Sequence, residues 1–186
     1  LKLRLESFQD ELLPEQTTYK REVVKILRAL QDSVREVRLL YQDLSPADLN
    51  ELGLTTALKN MLEEFASAKR IKYQAELDRD IDPLFDLPLK TNIFRVVQEG
   101  LTNIGKHAKA QHISLRTQKE EKQVAIILED DGIGFNLSEA LAAKKTMGLL
   151  SMEKRLVPWG GSVEIRSQPN EGTRISLTIP IPEEGS

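Results

Sequence analysis

The chain has 186 residues, 40% hydrophobic and 30% charged, with a formal net charge of -3. That is enough apolar matter for a real core, and no stretch concentrates Lys and Arg into a phosphate-backbone footprint, so nucleic-acid binding is disfavoured. Without Cys there are no disulfides, thiolate nucleophiles or Cys-based zinc sites, which fits a reducing, cytoplasmic compartment. No apolar run approaches the roughly 20 residues that span a bilayer, so no membrane contact is expected within the chain.

Leu1, Leu5, Phe8 and Leu12 already repeat at helical spacing, and the chain reads as part of something longer. Pro14 to Thr18 break that helix, with Thr17 or Thr18 suited to cap the next. Val23, Leu27, Leu30, Val34, Val37, Tyr41 and Leu44 then step by four and three alternately, the seam of a coiled coil or bundle. A homodimer through a four-helix bundle would bury it; packing on the chain's own downstream domain is the alternative. Ser45 and Pro46 are expected to end this helix. The expected division is a helical hairpin over 1–45 and a second domain over 46–186.

Leu49 to Ala68 reads as an amphipathic helix, after which the pattern shifts to short strands: Ile71 to Leu77, His112 to Thr117, Val124 to Glu129, Ser162 to Arg166 and Thr173 to Ile179. Lys119 to Lys122 look like a charged hairpin tip. Between strands lie helices Leu87 to Ala108, capped by Asp86, and Gly148 to Val157, capped by Thr146. The helices suffice to cover one sheet face, which gives an α+β, two-layer α/β sandwich.

Three segments carry chemistry. On the helix Leu87 to Ala108, Glu99, Asn103, Lys106 and His107 form a stripe beside the apolar face Ile93, Val96, Val97, Leu101 and Ile104. Asn103 could hold Mg²⁺, which takes few protein oxygens, while Lys106 meets phosphate charge and Glu99 orients or deprotonates a nucleophile. A solvated helix edge would have the same composition. Glu129 to Phe135, after an apolar strand, adds carboxylates and two glycines. A carboxylate at a strand end can accept from the exocyclic amine of adenine, and Gly132 and Gly134 let the backbone run close to a ligand. An ordinary Asp-Gly surface turn is the competing reading. Third, Gly148 opens a helix whose N-terminus could receive phosphate. Asn170 to Thr173 forms the last hairpin turn.

In order, these residues resemble the GHKL superfamily of ATP-binding domains, most closely the sensor histidine kinases that pair with NarL-type response regulators. Phe94 to Ala108 resembles the N box, Asp130 to Phe135 the G1 box, Gly148 to Met152 the G2 region and Glu171-Gly172-Thr173 the last glycine motif. The likeness extends to Leu44-Ser45-Pro46 and Asn50 to Leu54. It implies Mg-ATP as ligand, Asn103 as the Mg²⁺ ligand, Glu99 as the catalytic acidic residue, and Lys106 and His107 near phosphates or ribose. His107 capping its own helix end is an equal alternative. Asp130 would recognise adenine, Gly132, Gly134, Gly148 and Leu149 would shape the nucleotide pocket, and Thr173 would support Asp130. Ser151 departs from the family's usual Gly.

The family phosphorylates a His in the first hairpin helix. This chain has only His107 and His112, so it is expected to bind ATP without phosphorylating itself, the acceptor lying in a preceding segment. Asn136 to Lys145 is the expected lid, with no fixed turn chemistry of its own. Two rivals remain at this level: a nucleotide-gated interaction module, and an ATPase of the same superfamily.

Overall fold

A computed structural model describes residues 46–142 and 147–182. They belong to a compact unit spanning Leu44–Ser186; the expected helical hairpin and the Thr146 cap lie outside the described residues. Helices α1 (Pro46–Leu52), α2 (Leu54–Lys69), α3 (Leu87–Asn103), α4 (Leu137–Ala142) and α5 (Met147–Leu156) accompany strands β1 (Lys72–Glu76), β2 (His112–Lys119), β3 (Gln123–Asp130), β4 (Ser162–Ser167) and β5 (Thr173–Pro180).

All five expected strands are present, and they form one mixed sheet in the order β1-β2-β3-β5-β4. Only β1 and β2 run parallel. A parallel pair needs a long crossover, and α3 supplies it. Cross-strand register places Ile113, Leu115, Ile126, Leu128, Ile175 and Leu177 on one face, all of them buried. That face meets Leu58, Leu62 and Phe65 of α2, Ile93, Val96 and Val97 of α3, and Met152 and Leu156 of α5. The opposite face carries Arg116, Glu129 and Arg174, and Glu129 bridges the two guanidiniums at 2.7 and 3.1 Å. The two-layer reading therefore holds.

Three boundaries differ from expectation. Pro46, not Leu49, opens the first described helix, as its fixed φ suits a first helical turn. The helix read as Leu49 to Ala68 is two helices, interrupted at Gly53, whose φ is 80°. Gly53 has no side chain to cap α2, and Asp82 does so from the 3₁₀ segment Arg79–Leu84, accepting from the Thr55 amide at 3.0 Å and from its hydroxyl at 2.8 Å. The third difference is at the end of α3, where Ile104–Ala108 winds as a π turn. Periodicity alone cannot show such a widening.

The helix that carries Glu99 and Asn103 is α3, and its start is set by Asp86, whose carboxylate accepts from the Leu89 amide at 2.8 Å. Replacing Asp86 with Ala should lower stability by about 1 kcal/mol, whereas Ser should retain most of it. Urea unfolding checks this; equal losses for both variants would show that the cap bond contributes nothing.

Candidate functional site

A cavity of about 580 Å³ opens between α3 with its π turn, the loop after β3, α4, and the strands β4 and β5. Its size suits a nucleotide-sized ligand. Glu99, Asn103, Lys106 and His107 line one side, and Asp130, Gly134 and Thr173 line another. The π turn thus leaves Lys106 and His107 on the pocket, in company with Glu99 and Asn103 of α3. Ile133, Phe135, Ile165 and Ile175 add apolar wall.

Of three consecutive acids, one reaches the cavity, and strand geometry decides which. Side chains alternate along β3. Asp130 follows Leu128 onto the inner face, and Glu129 turns to the outer face, where its arginine partners hold it. Asp131 lies just past the strand, and its carboxylate accepts from the Gln111 amide at 2.7 Å and the His112 amide at 2.9 Å, and meets the His112 ring at 2.7 Å. Desolvation pushes the Asp131 pKa up, but these His112 and Gln111 bonds outweigh it and hold the group below its ordinary value. His112 is accordingly an exposed partner of Asp131.

Asp130 is 8% exposed. Its Oδ1 accepts from the Gly132 amide at 2.8 Å, while Oδ2 is buried and has no partner. Burial raises the Asp130 pKa above 3.8, and the neighbouring Asp131 charge adds to the rise, against the pull of the Gly132 amide and of the Thr173 hydroxyl and amide. A buried, half-satisfied carboxylate aimed into a cavity is poised to accept from a ligand.

The glycines of the loop after β3 admit the protein's own backbone. A Cβ on Gly132 would collide with the Ala108 carbonyl oxygen, and one on Gly134, which also has φ 52°, with that of Gln168. The same closeness appears as bonds: the Ile133 amide donates to Ala108 O at 2.7 Å, and the Asn170 amide donates to Ile133 O at 2.7 Å. The loop is therefore stitched to the end of the π turn and to the β4–β5 turn. Gly132 shapes the pocket from behind, through its bond to Asp130. Gly148 and Leu149 belong to the first turn of α5.

The family described as Histidine kinase-, DNA gyrase B-, and HSP90-like ATPase matches residues 89–183, half of the chain. The chain belongs to this family. It is 31% identical over 168 residues to the signal transduction histidine-protein kinase/phosphatase DegS of Brevibacillus brevis, covering 88% of this chain and 42% of that protein. The sensor histidine kinase LiaS of Bacillus subtilis is 32% identical over 155 residues, with 82% of this chain and 41% of that protein covered. The oxygen sensor histidine kinase NreB of Staphylococcus carnosus is 31% identical over 151 residues, with 80% and 42% covered. The chain thus spans about two fifths of the length of these relatives. The histidine kinase domain of the Erythrobacter litoralis EL346 blue-light activated histidine kinase shares the fold, with a TM-score of 0.61 at 18% identity, covering 95% of this chain and 90% of that one. The chain carries the ATP-binding catalytic domain of the sensor histidine kinases to which it is homologous.

Within this ATPase-family pocket, the apolar wall was less visible in sequence. Ile165 and Ile175 are cross-strand partners whose inward alternation could have signalled it, but alternation marks core and pocket alike. Gly100 has a packing role, since a Cβ there would sit 2.7 Å from Leu128 Cδ2. The segment read as a lid starts with more order than its composition suggested: Asn136 Oδ1 accepts from the Glu139 amide at 3.2 Å, and Asn136 Nδ2 donates to Glu139 at 2.9 Å. This reciprocal pair caps α4, and Ala140 of that helix lines the cavity.

Asp130 gives a pH signature. Its folded pKa is raised, so the native state holds the proton more tightly than the unfolded chain. The stabilising contribution is complete below 3.8 and is lost as pH rises through the higher folded value. Asp130→Asn keeps an oxygen for the Gly132 amide and cannot ionise. Its stability relative to wild type should therefore grow as pH rises from about 4 to about 8 in urea titrations. A difference that stays flat over this range would contradict the burial argument.

Proposed function

We propose that this domain binds Mg-ATP and moves its γ-phosphoryl group to a His outside these 186 residues, and thence to a response regulator of NarL type. The observation that carries this reading is the facing of Asp130, with its open Oδ2, and the stripe Glu99, Asn103, Lys106 and His107 across one cavity. Adenine offers an exocyclic amine to Asp130, a donor that guanine lacks at that position. The purine would lie against Ile133, Ile165 and Ile175, and the triphosphate would extend toward the end of α3.

Magnesium fits the donor set. Among the described residues no group of three or more His, Cys, Asp or Glu side chains could hold a metal, and Mg²⁺ bound with substrate phosphates needs only one or two protein oxygens. Asn103 would supply one. When bound, the ion neutralises phosphate charge. Lys106 adds a cation beside the phosphates, His107 reaches phosphate or ribose, and the first-turn amides of Gly148 and Leu149 offer donors. Glu99 would orient the attacking imidazole or take its proton. Phosphoryl transfer depends mainly on such positioning and charge stabilisation. Thr173, cross-strand from Asp130, completes the adenine end.

The hairpin over 1–45 would bring two copies together, with the division from the ATP-binding domain at 45/46. Among the described residues no helix is long and apolar enough to cross a membrane, and cytoplasmic placement of this domain accords with its ATP use.

Asp130→Asn should weaken Mg-ATP binding at least about tenfold, since hydrogen bonds to charged groups contribute about 1.5–3 kcal/mol. Asn103→Ala should remove the magnesium dependence of binding. Calorimetric titration with and without magnesium reads both, and unchanged affinity in Asp130→Asn would refute the adenine assignment. For transfer itself, a longer chain including the preceding helix should take up label from γ-labelled ATP. Binding without uptake would leave a nucleotide-gated module.

A further inference from the structure

Lys109 to Gln111 join the π turn to β2. Lys109 is left-handed, with φ 53°, a conformation that a residue with a side chain keeps only where its surroundings hold it. Here the loop after β3 does the holding. At one end the Ala108 carbonyl accepts from the Ile133 amide at 2.7 Å. At the other, one Asp131 oxygen accepts from the Gln111 amide at 2.7 Å and the His112 amide at 2.9 Å, and the second meets the His112 ring at 2.7 Å. The Asp131 amide in turn donates to His112 O at 3.2 Å. Hydrogen bonds to an ionised carboxylate are stronger than those between neutral groups.

Asp131 does not line the cavity, but Lys106 and His107, just before the linker, do. They sit in the short π turn Ile104–Ala108, outside the sheet. Asp130, by contrast, is fixed within the sheet, opposite Ile113 on one side and Thr173 on the other. Loosening the linker would therefore displace the phosphate end of the proposed site and leave the adenine end in place. We infer that Asp131 is a positioning residue for the triphosphate: by fixing the linker between the π turn and β2, it holds Lys106 and His107 in register with Asp130 across the cavity. The inference rests on the reading of Lys106 and His107 as phosphate-side groups. It gives a part to an acid that touches no ligand in that reading and acts through the backbone.

Asp131 also ties the end of β3 to the start of β2, so loss of affinity alone would not separate alignment from general support. The test is a ratio. Affinities of the full chain for Mg-ATP and for adenosine, which has the base and no phosphates, are measured by calorimetry in magnesium-containing buffer. Wild type should prefer Mg-ATP. Asp131→Ala frees the linker, and the preference should fall about tenfold, the worth of one hydrogen bond to a charged group. Two side effects of the substitution cannot mimic this fall. A change at Asp130 acts on both ligands alike, and removing the negative charge beside it favours the triphosphate. Asp131→Asn keeps an oxygen for the Gln111 and His112 amides without the charge, and should retain most of the preference. Asp131→Ser, whose oxygen lies one bond nearer the backbone, should lose it as Ala does, and it serves if the Ala variant does not fold. Equal losses for both ligands in the Ala or Ser variant, a preference unchanged there, or an Asn variant as impaired as these, overturn the inference while leaving the phosphate reading of Lys106 and His107 intact. A wild type that binds adenosine as tightly as Mg-ATP overturns that reading itself.

Discussion

The site is organised around one unsatisfied oxygen. Asp130 Oδ2 is buried without a hydrogen-bond partner, a condition that costs a folded protein free energy and that native structures mostly avoid. Around it, neighbouring polar groups are already engaged. The Gly132 amide serves Oδ1, Glu129 is held on the far face by two arginines, and Asp131 is occupied by the start of β2. A ligand with an amine directed at Asp130 would meet an acceptor that the protein has left open.

Keeping the carboxylate there requires the surrounding backbone to be unusually close. The Ala108 carbonyl presses on Gly132 and accepts from Ile133, which links the end of α3 to the loop after β3. The Gln168 carbonyl presses on Gly134, which links the same loop to the β4–β5 turn. The helix that carries Glu99 and Asn103 and the strand that carries Asp130 are thereby joined through main-chain contacts at the pocket rim, as well as through the apolar core. The side chains proposed for the two ends of a nucleotide are presented from rigid elements, a condition for precise positioning.

Much of this was legible beforehand because it depends on spacing. Alternation located the five strands, and the inward set Val124, Ile126 and Leu128 implied that Asp130 shares their face. Asp86 announced the start of α3. The features that escaped have no periodic signature. The π turn over Ile104–Ala108 keeps helical composition while changing its winding. Gly53 breaks a continuous amphipathic pattern because Asp82, distant in sequence, caps the second helix. Asn136 and Glu139 form a cap inside a stretch of unremarkable composition. Ser167 is a lone Ser at a strand end, and no spacing announces its contacts with Phe135, Gly172 and Thr173. The glycines after β3 were recognised, but the backbone that crowds them comes from residues far away in sequence.

Choice of base by the pocket is the step on which the proposed function depends most, and thermal unfolding of the chain reads that choice directly. A ligand bound only by the folded state raises its stability, by about 2.7 kcal/mol at a hundred times its Kd. In magnesium-containing buffer, ATP should raise the Tm in a concentration-dependent way and GTP should leave it nearly unchanged. Equal shifts with both nucleotides, or none with either, would contradict adenine selection by Asp130.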